Sequence, residues 1–279
     1  MKKISVKTAV SAVPRYVILT VVTVVTIFPL LWVIMSSFKT NQQILSSAVS
    51  FPTSFNFSGY IAALQLSPLI LYYANSLIVA IFSTLGSVLI VAMASYIIAR
   101  VKFKGSKSLV MMLSSSLLIP TSALLMPIYI IMTKVGLYDT RIGLIIVYAA
   151  LGLPTSLFIL RGHFINVPRE IEEAAFMDGC GFLRTFFVIV LPIVKSGLVT
   201  AGILQFLTSW NEFMFALILT GSNKVRTLPL ALSYFTSQFS YNYTAMFAAL
   251  VMVILPSILI YALLQEQVTD SIVSGSVKG

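Results

Sequence analysis

Across 279 residues the chain carries 18 Lys and Arg against 8 Asp and Glu, so only 9% of it is charged while 58% is apolar. An ordinary soluble domain is about a quarter charged, and so few charges cannot cover a water-facing surface; a mean hydropathy of +1.00 agrees. Disorder is excluded by an aromatic content of 12%, a single cysteine, Cys180, rules out an intrachain disulfide, and the net charge of +10 sits in short clusters between apolar runs, as in loops at a membrane surface and not as in a nucleic-acid-binding face.

A membrane helix needs about 20 mostly apolar residues. Six runs qualify, predicted at 17–37, 69–99, 109–133, 142–160, 197–220 and 245–264. The second and third exceed the minimum, so they tilt or lie partly along the interface. The first has a basic flank like that of a signal peptide, but its apolar run is longer than a signal core and no A-x-A site follows, which favours a retained span. The layout is therefore a terminus at 1–16, a six-span domain at 17–264 and a tail at 265–279. Thirteen Lys and Arg fall on the side of the two termini and five on the other. By the positive-inside rule both termini are cytoplasmic. No internal repeat at a fixed period is visible, which disfavours an inverted-repeat transporter.

The fourth loop, at 161–196, holds Glu170, Glu172, Glu173 and Asp178, half of all the acids in the chain. Residues 168–179 are predicted to form a short helix. Pro168 suits a first helical position, acids in the first turn complement the helix dipole, and Gly179 stops it, with Gly181 close behind. Ile171, Ala174 and Ala175 share one face by spacing, a shallow surface for another protein's backbone. Residues 182–190 read as a second apolar helix, with Leu191-Pro192 as a break before the fifth span. With its first-turn acids, the short helix is repelled by anionic headgroups, which argues against its simply lying on the membrane.

Glu173-Ala174-Ala175, Asp178-Gly179, Ile189 and Leu191-Pro192 resemble the EAA motif of ATP-binding-cassette importer permeases, in the carbohydrate-type branch that includes the smaller maltose permeases. Further matches are Ser36-Ser37-Phe38-Lys39, Asn75-Ser76, Tyr96 with Ala99-Arg100, Trp210-Asn211-Glu212-Phe213 and the tail Gly275-Ser-Val-Lys-Gly279. The family often has a proline shortly after LP, where this chain has Lys195-Ser196-Gly197. The resemblance implies an all-α integral membrane protein with the six-helix type I importer fold and a cytoplasmic coupling loop. Glu172, Glu173, Ala174, Ala175, Asp178, Gly179, Leu191 and Pro192 are then the coupling residues. Implied partners are a second homologous permease, two cytoplasmic ATPase subunits and an extracytoplasmic sugar-binding protein. The chain itself catalyses nothing and binds no cofactor, ATP and magnesium belonging to the ATPase; the sequence accordingly has no G-x-x-x-x-G-K-[ST] loop. The tail, by the same resemblance, reaches between the ATPase subunits; read from its residues alone it is a polar segment too small to fold.

In the fifth span Gln205, Thr208, Ser209 and Glu212 recur at i, i+3, i+4 and i+7, with Trp210 and Asn211 beside them. Such a polar stripe either lines a translocation path or binds helix to helix against a partner. Pro120, Pro127, Pro154 and Pro256 fall inside predicted spans, as hinges or as ordinary kinks. His163 is the one histidine, so neither a metal site nor a membrane enzyme is expected. A stand-alone secondary transporter or channel needs ionisable groups at mid-membrane, and only Glu212 approaches that description.

Overall fold

The computed structural model describes residues 6–47, 49–237 and 240–276. In chain order the helices are α1 (Val6–Ser36), α2 (Asn41–Ser46), α3 (Ser58–Leu66), α4 (Leu69–Arg100), α5 (Ser106–Ser116), α6 (Leu125–Lys134), α7 (Arg141–Asn166), α8 (Arg169–Met177), α9 (Phe182–Arg184), α10 (Leu191–Ile193), α11 (Lys195–Trp210), α12 (Met214–Leu219) and α13 (Tyr243–Ser276). A single turn of 3₁₀ helix precedes α6, and a two-residue antiparallel ladder pairs Thr236–Ser237 with Ser240–Tyr241. Among the described residues four helices are long and apolar enough to cross a membrane, and length and composition allow up to six spans if each of two bent helix pairs is one span.

The bends have local causes. Between α5 and α6 the axis turns by 100°. Pro120 has no N–H, and Leu117, Leu118 and Ile119 donate instead to carbonyls three residues back, which tightens and ends α5. The predicted third span is thus two half-length helices. The second bend, 78°, separates the 182–193 segment from α11 and falls at Val194, two residues past the Leu191-Pro192 pair expected to mark it. Pro192 is absorbed before that point: residues Thr185–Val190 widen into a π turn in which Leu191 donates to the Phe186 carbonyl.

Two compact units result. One comprises residues 1–67 and 232–254. Here Asn41 accepts hydrogen bonds from the backbone and hydroxyl of Thr244 (2.9 and 3.0 Å). Gly59 packs so close that a Cβ on it would meet the Thr244 carbonyl oxygen at 2.7 Å. Helix α1 begins at Val6, so most of the segment expected to be a terminus is helical, and Pro14–Ser36 is its membrane-length part.

The other unit, residues 68–231 and 255–279, is organised by α4, α7 and α11 packed on one another. With no hydrophobic drive in lipid, close backbone approach supplies the attraction, and small residues permit it. Ala80, Ser83, Ser87, Ala92 and Ser95 contribute small side chains to the buried face of α4, while Gly152 leaves room for the Gln205 side chain and Gly197 for the His163 ring. The polar tail expected beyond Gln265 is helical as far as Ser276, because α13 has already paid the nucleation cost and no further proline interrupts it; residues 277–279 of the tail motif lie outside the described residues.

Candidate coupling site

Helix α8 carries the Glu173-Ala174-Ala175 segment that resembles the EAA motif, and its ends are built by sequence. Pro168 precedes the first turn in extended backbone (φ −58, ψ 137) instead of occupying it. At the other end Gly179 takes φ +78, its N–H bonds Phe176 and the Cys180 N–H reaches the Ala175 carbonyl (3.0 and 2.9 Å). This is the Schellman arrangement, in which the left-handed residue is nearly always glycine.

The face of α8 is not the one that spacing suggested. Ala175 and Glu172 are turned inward and Ile171 packs on the core, whereas Ala174, Glu173, Phe176, Met177 and Asp178 are exposed. The alanine pair is therefore split. The reason is Glu172: its carboxylate accepts from Arg100 Nε at 2.5 Å and from the Tyr96 hydroxyl at 3.0 Å, and Arg100 Nη2 donates to the Val167 carbonyl at 2.6 Å. Each of the two ionic side chains is 9% exposed. A carboxylate in such a place is tolerated because it is paired and bonded. The Tyr96 ring lies among Phe164, Phe182 and Phe186, with centroids 5.7, 5.3 and 4.9 Å away. The last turn of α4 thus clamps the start of α8, and aromatic contacts carry that clamp to the segment bearing Leu191 and Pro192.

The fifth-span stripe does not survive as one face. Helix α11 ends at Trp210, where the Asn211 amide donates to the Leu207 carbonyl (2.9 Å), so Glu212 lies beyond the helix. Gln205 and Ser209 are buried between helices: the Gln205 amide donates to the Tyr148 carbonyl (2.9 Å) and to Ser209 (3.1 Å), and Ser83 donates to Ser209 (3.0 Å). Trp210 is also buried, stacked on Phe206 and edge-on to Tyr73. Thr208 and Asn211 are exposed. Glu212 accepts from the backbone N–H groups of Phe215 and Ala216 (2.9 and 3.0 Å), at the start of α12, and from the Tyr148 hydroxyl (2.8 Å). Its carboxylate thus caps the N-terminus of α12, where a negative charge complements the helix dipole.

At the Leu69 end of α4 lies a cluster that the sequence hinted at only through Asn75-Ser76. The Asn75 amide donates to the carbonyls of Lys224 and Arg226 (3.0 and 2.9 Å), Ser76 accepts from Leu228 N–H (2.8 Å), and Tyr72 donates to Asn223 (2.9 Å). Asp139, in left-handed backbone at φ +56, accepts from the N–H groups of Gly221 and Ser222 (2.9 and 3.0 Å). Burial acts to raise the Asp139 pKa, but hydrogen bonds from Ser222 and Gly221 and the nearby Arg226 charge outweigh it and hold the carboxyl below its ordinary value. Asp139 escaped the sequence reading, although an Asp just before a Thr-capped helix was a visible turn signal.

Residues 86–270 match the family described as the inner membrane component of binding-protein-dependent transport systems. The chain belongs to that family. Among its relatives, the diacetylchitobiose uptake system permease protein NgcG of Streptomyces coelicolor is 32% identical over 257 residues, covering 91% of this chain and 85% of that one. The sulfoquinovosyl glycerol transport system permease protein SmoH of Agrobacterium fabrum is 31% identical over 266 residues, 95% of this chain and 93% of its own length. A chain in the crystal structure of a bacterial ABC transporter involved in the import of the acidic polysaccharide alginate superposes with a TM-score of 0.84 at 21% identity, covering 95% of this chain and 99% of that one. The permease is thus a non-catalytic, inner-membrane subunit of an ABC importer, working with an ATPase and a substrate-binding protein.

Proposed function

We propose that this permease forms half of the translocation path of a sugar or oligosaccharide importer, paired with a second homologous permease above two ATPase subunits, with both termini in the cytoplasm. The named relatives that carry sugar compounds support the substrate class, and the thirteen-to-five distribution of Lys and Arg supports the orientation. ATP and magnesium stay on the ATPase. The observation that carries the coupling assignment is the clamp on Glu172. It fixes α8 to the end of α4, leaves Glu173, Ala174, Asp178 and the Gly179 turn exposed for a cleft in the ATPase, and so makes α8 a lever on the packed helices. Leu191 and Pro192 hold the bent segment by which that lever meets α11.

A valine at Gly179 costs about 1–2 kcal/mol in left-handed backbone, so Gly179→Val is expected to stay inserted yet lose transport and shed the ATPase on purification. Normal uptake by this variant refutes the assignment.

Of the six candidate path residues in this segment, Thr208 and Asn211 face outward and are the ones we propose contact it. Gln205, Ser209, Trp210 and Glu212 position them, a reading favoured by the burial of the first three and by the bonds of the fourth. In a Cys180→Ser background, cysteines at 208 and 211 are expected to react with a water-soluble maleimide, and to change reactivity when ATP is trapped. Cysteines at 205 and 209 are expected to stay silent. Labelling of all four, or of none, removes this division.

A further inference from the structure

Beside the last turns of α4 a cavity of about 300 Å³ opens between Met93, Ile97, Phe103, Leu109, Phe182 and Leu183, with the ring of Tyr96 at its wall. That volume is at the small end of ligand sites, about 300–1,000 Å³. Every wall is apolar. The one hydroxyl among the lining side chains, that of Tyr96, is already donated to Glu172, so nothing in the groove offers a hydrogen bond to a polar occupant.

The mouth has a different chemistry. Phe103, which lines the groove, stands between Lys102 and Lys104, and Lys107 follows after the left-handed turn at Gly105 (φ +100). All three lysines are exposed, and among the described residues none has an acid within ion-pair range. No Asp or Glu occurs anywhere between Val101 and Tyr138. A hydrocarbon slot flanked along the chain by three exposed lysines without an acid partner, at the point where a membrane-length helix ends, fits an apolar chain that carries an anionic head.

We propose that this groove binds an anionic phospholipid, one acyl chain lying in the slot and the headgroup phosphate resting on Lys102, Lys104 and Lys107. This goes beyond the importer assignment and stands or falls independently of it. Because Tyr96 is shared by the groove and the Glu172 clamp, the bound chain lies directly against the device that holds α8.

The test uses the complete transporter in nanodiscs of phosphatidylcholine doped with a phosphatidylglycerol bearing a diazirine on its acyl chain. Cross-links are expected to concentrate at 93–97 and 182–183. Unlabelled phosphatidylglycerol should compete them away and added phosphatidylcholine should not. Replacing the lysines together (Lys102→Gln, Lys104→Gln, Lys107→Gln) should weaken binding up to about a hundredfold, given the roughly fivefold worth of each lysine near an anionic surface, and so reduce labelling at these positions to the level of the surrounding lipid-facing residues. Labelling no denser here than along 17–31 of α1, or equal competition by the two lipids, overturns the proposal. So does capture of a neighbouring subunit, in place of lipid, by benzoylphenylalanine introduced at Leu183.

Discussion

Helix α4 is 32 residues long, roughly 48 Å at 1.5 Å per residue, and its two ends hold their neighbours by different chemistry. Around Arg100 the contact is ionic and concentrated: one buried carboxylate, one guanidinium and one tyrosine hydroxyl fix a whole helix. Around Asn75 it is neutral and distributed: Asn75 and Ser76 bond the main chain of a loop at 223–228, Tyr72 bonds the Asn223 side chain, and no side-chain charge takes part in these bonds. A buried ionic clamp adds little net stability over an apolar contact while intact but is costly once one member is missing, whereas a set of neutral bonds fails by degrees. The first suits the lever proposed for α8, which must move as one piece, the second a loop that need only keep its shape.

The comparison breaks most visibly at Arg100. Removing one partner of a buried pair costs about 3–5 kcal/mol because the other charge stays buried. Arg100→Ala is therefore expected to abolish uptake and release the ATPase, while Arg100→Ala combined with Glu172→Ala does less harm than the two single losses added together. Uptake assays and co-purification on inserted protein measure both. Strict additivity shows that the two side chains do not act as a clamp.

A smaller effect is expected at the other end. Asn75→Leu keeps the volume but removes the hydrogen bonds that Asn75 donates to the Lys224 and Arg226 carbonyls, at about 1–3 kcal/mol. Lys224 retains a longer contact from Arg141 at 3.4 Å, which limits the loss. The variant should unfold at a lower temperature in the purified complex yet keep its ATPase bound. Loss of the ATPase would mean that the two ends of α4 are not separable.

Much of this arrangement was legible in the sequence, though not its pairings. The long apolar runs identify the spans, and Gly179 announces its own left-handed turn. Tyr96, Arg100 and Glu172 each stand out, but 72 residues separate the ionic partners, and helical spacing alone assigns Ala174 and Ala175 to one face. Only the partner side chain reveals that Glu172 turns inward and carries Ala175 with it. The fifth span misleads for a comparable reason. A 3.6-residue period continued past Trp210 includes Glu212, yet Asn211 bonds back to the chain behind it and ends the helix, as short amide side chains do. The bend between α5 and α6 was marked by Pro120, but the angle depends on where three N–H groups find their carbonyls.

The smallest predicted effect sharpens the contrast by placing one charge at the neutral end. Asp139 is the only acid bonded to the 221–222 backbone among the described residues, and its folded-state pKa lies below the ordinary value. For a lowered carboxylate the sign is fixed. The charged form is favoured by folding, so its contribution is complete above the unfolded-state pKa of about 3.9 and disappears as pH falls through the lower folded value. Asp139→Asn isolates this term. Asparagine keeps an acceptor oxygen for Gly221 and Ser222 and tolerates the left-handed backbone at φ +56, so only the charge is lost. The variant should melt slightly below the parent at neutral pH, with the gap closing as the medium is acidified below pH 4. Salt should narrow the gap too, since the group is partly exposed. A gap that persists unchanged into acid assigns Asp139 to backbone geometry alone, and leaves this end of α4 held without any electrostatic part.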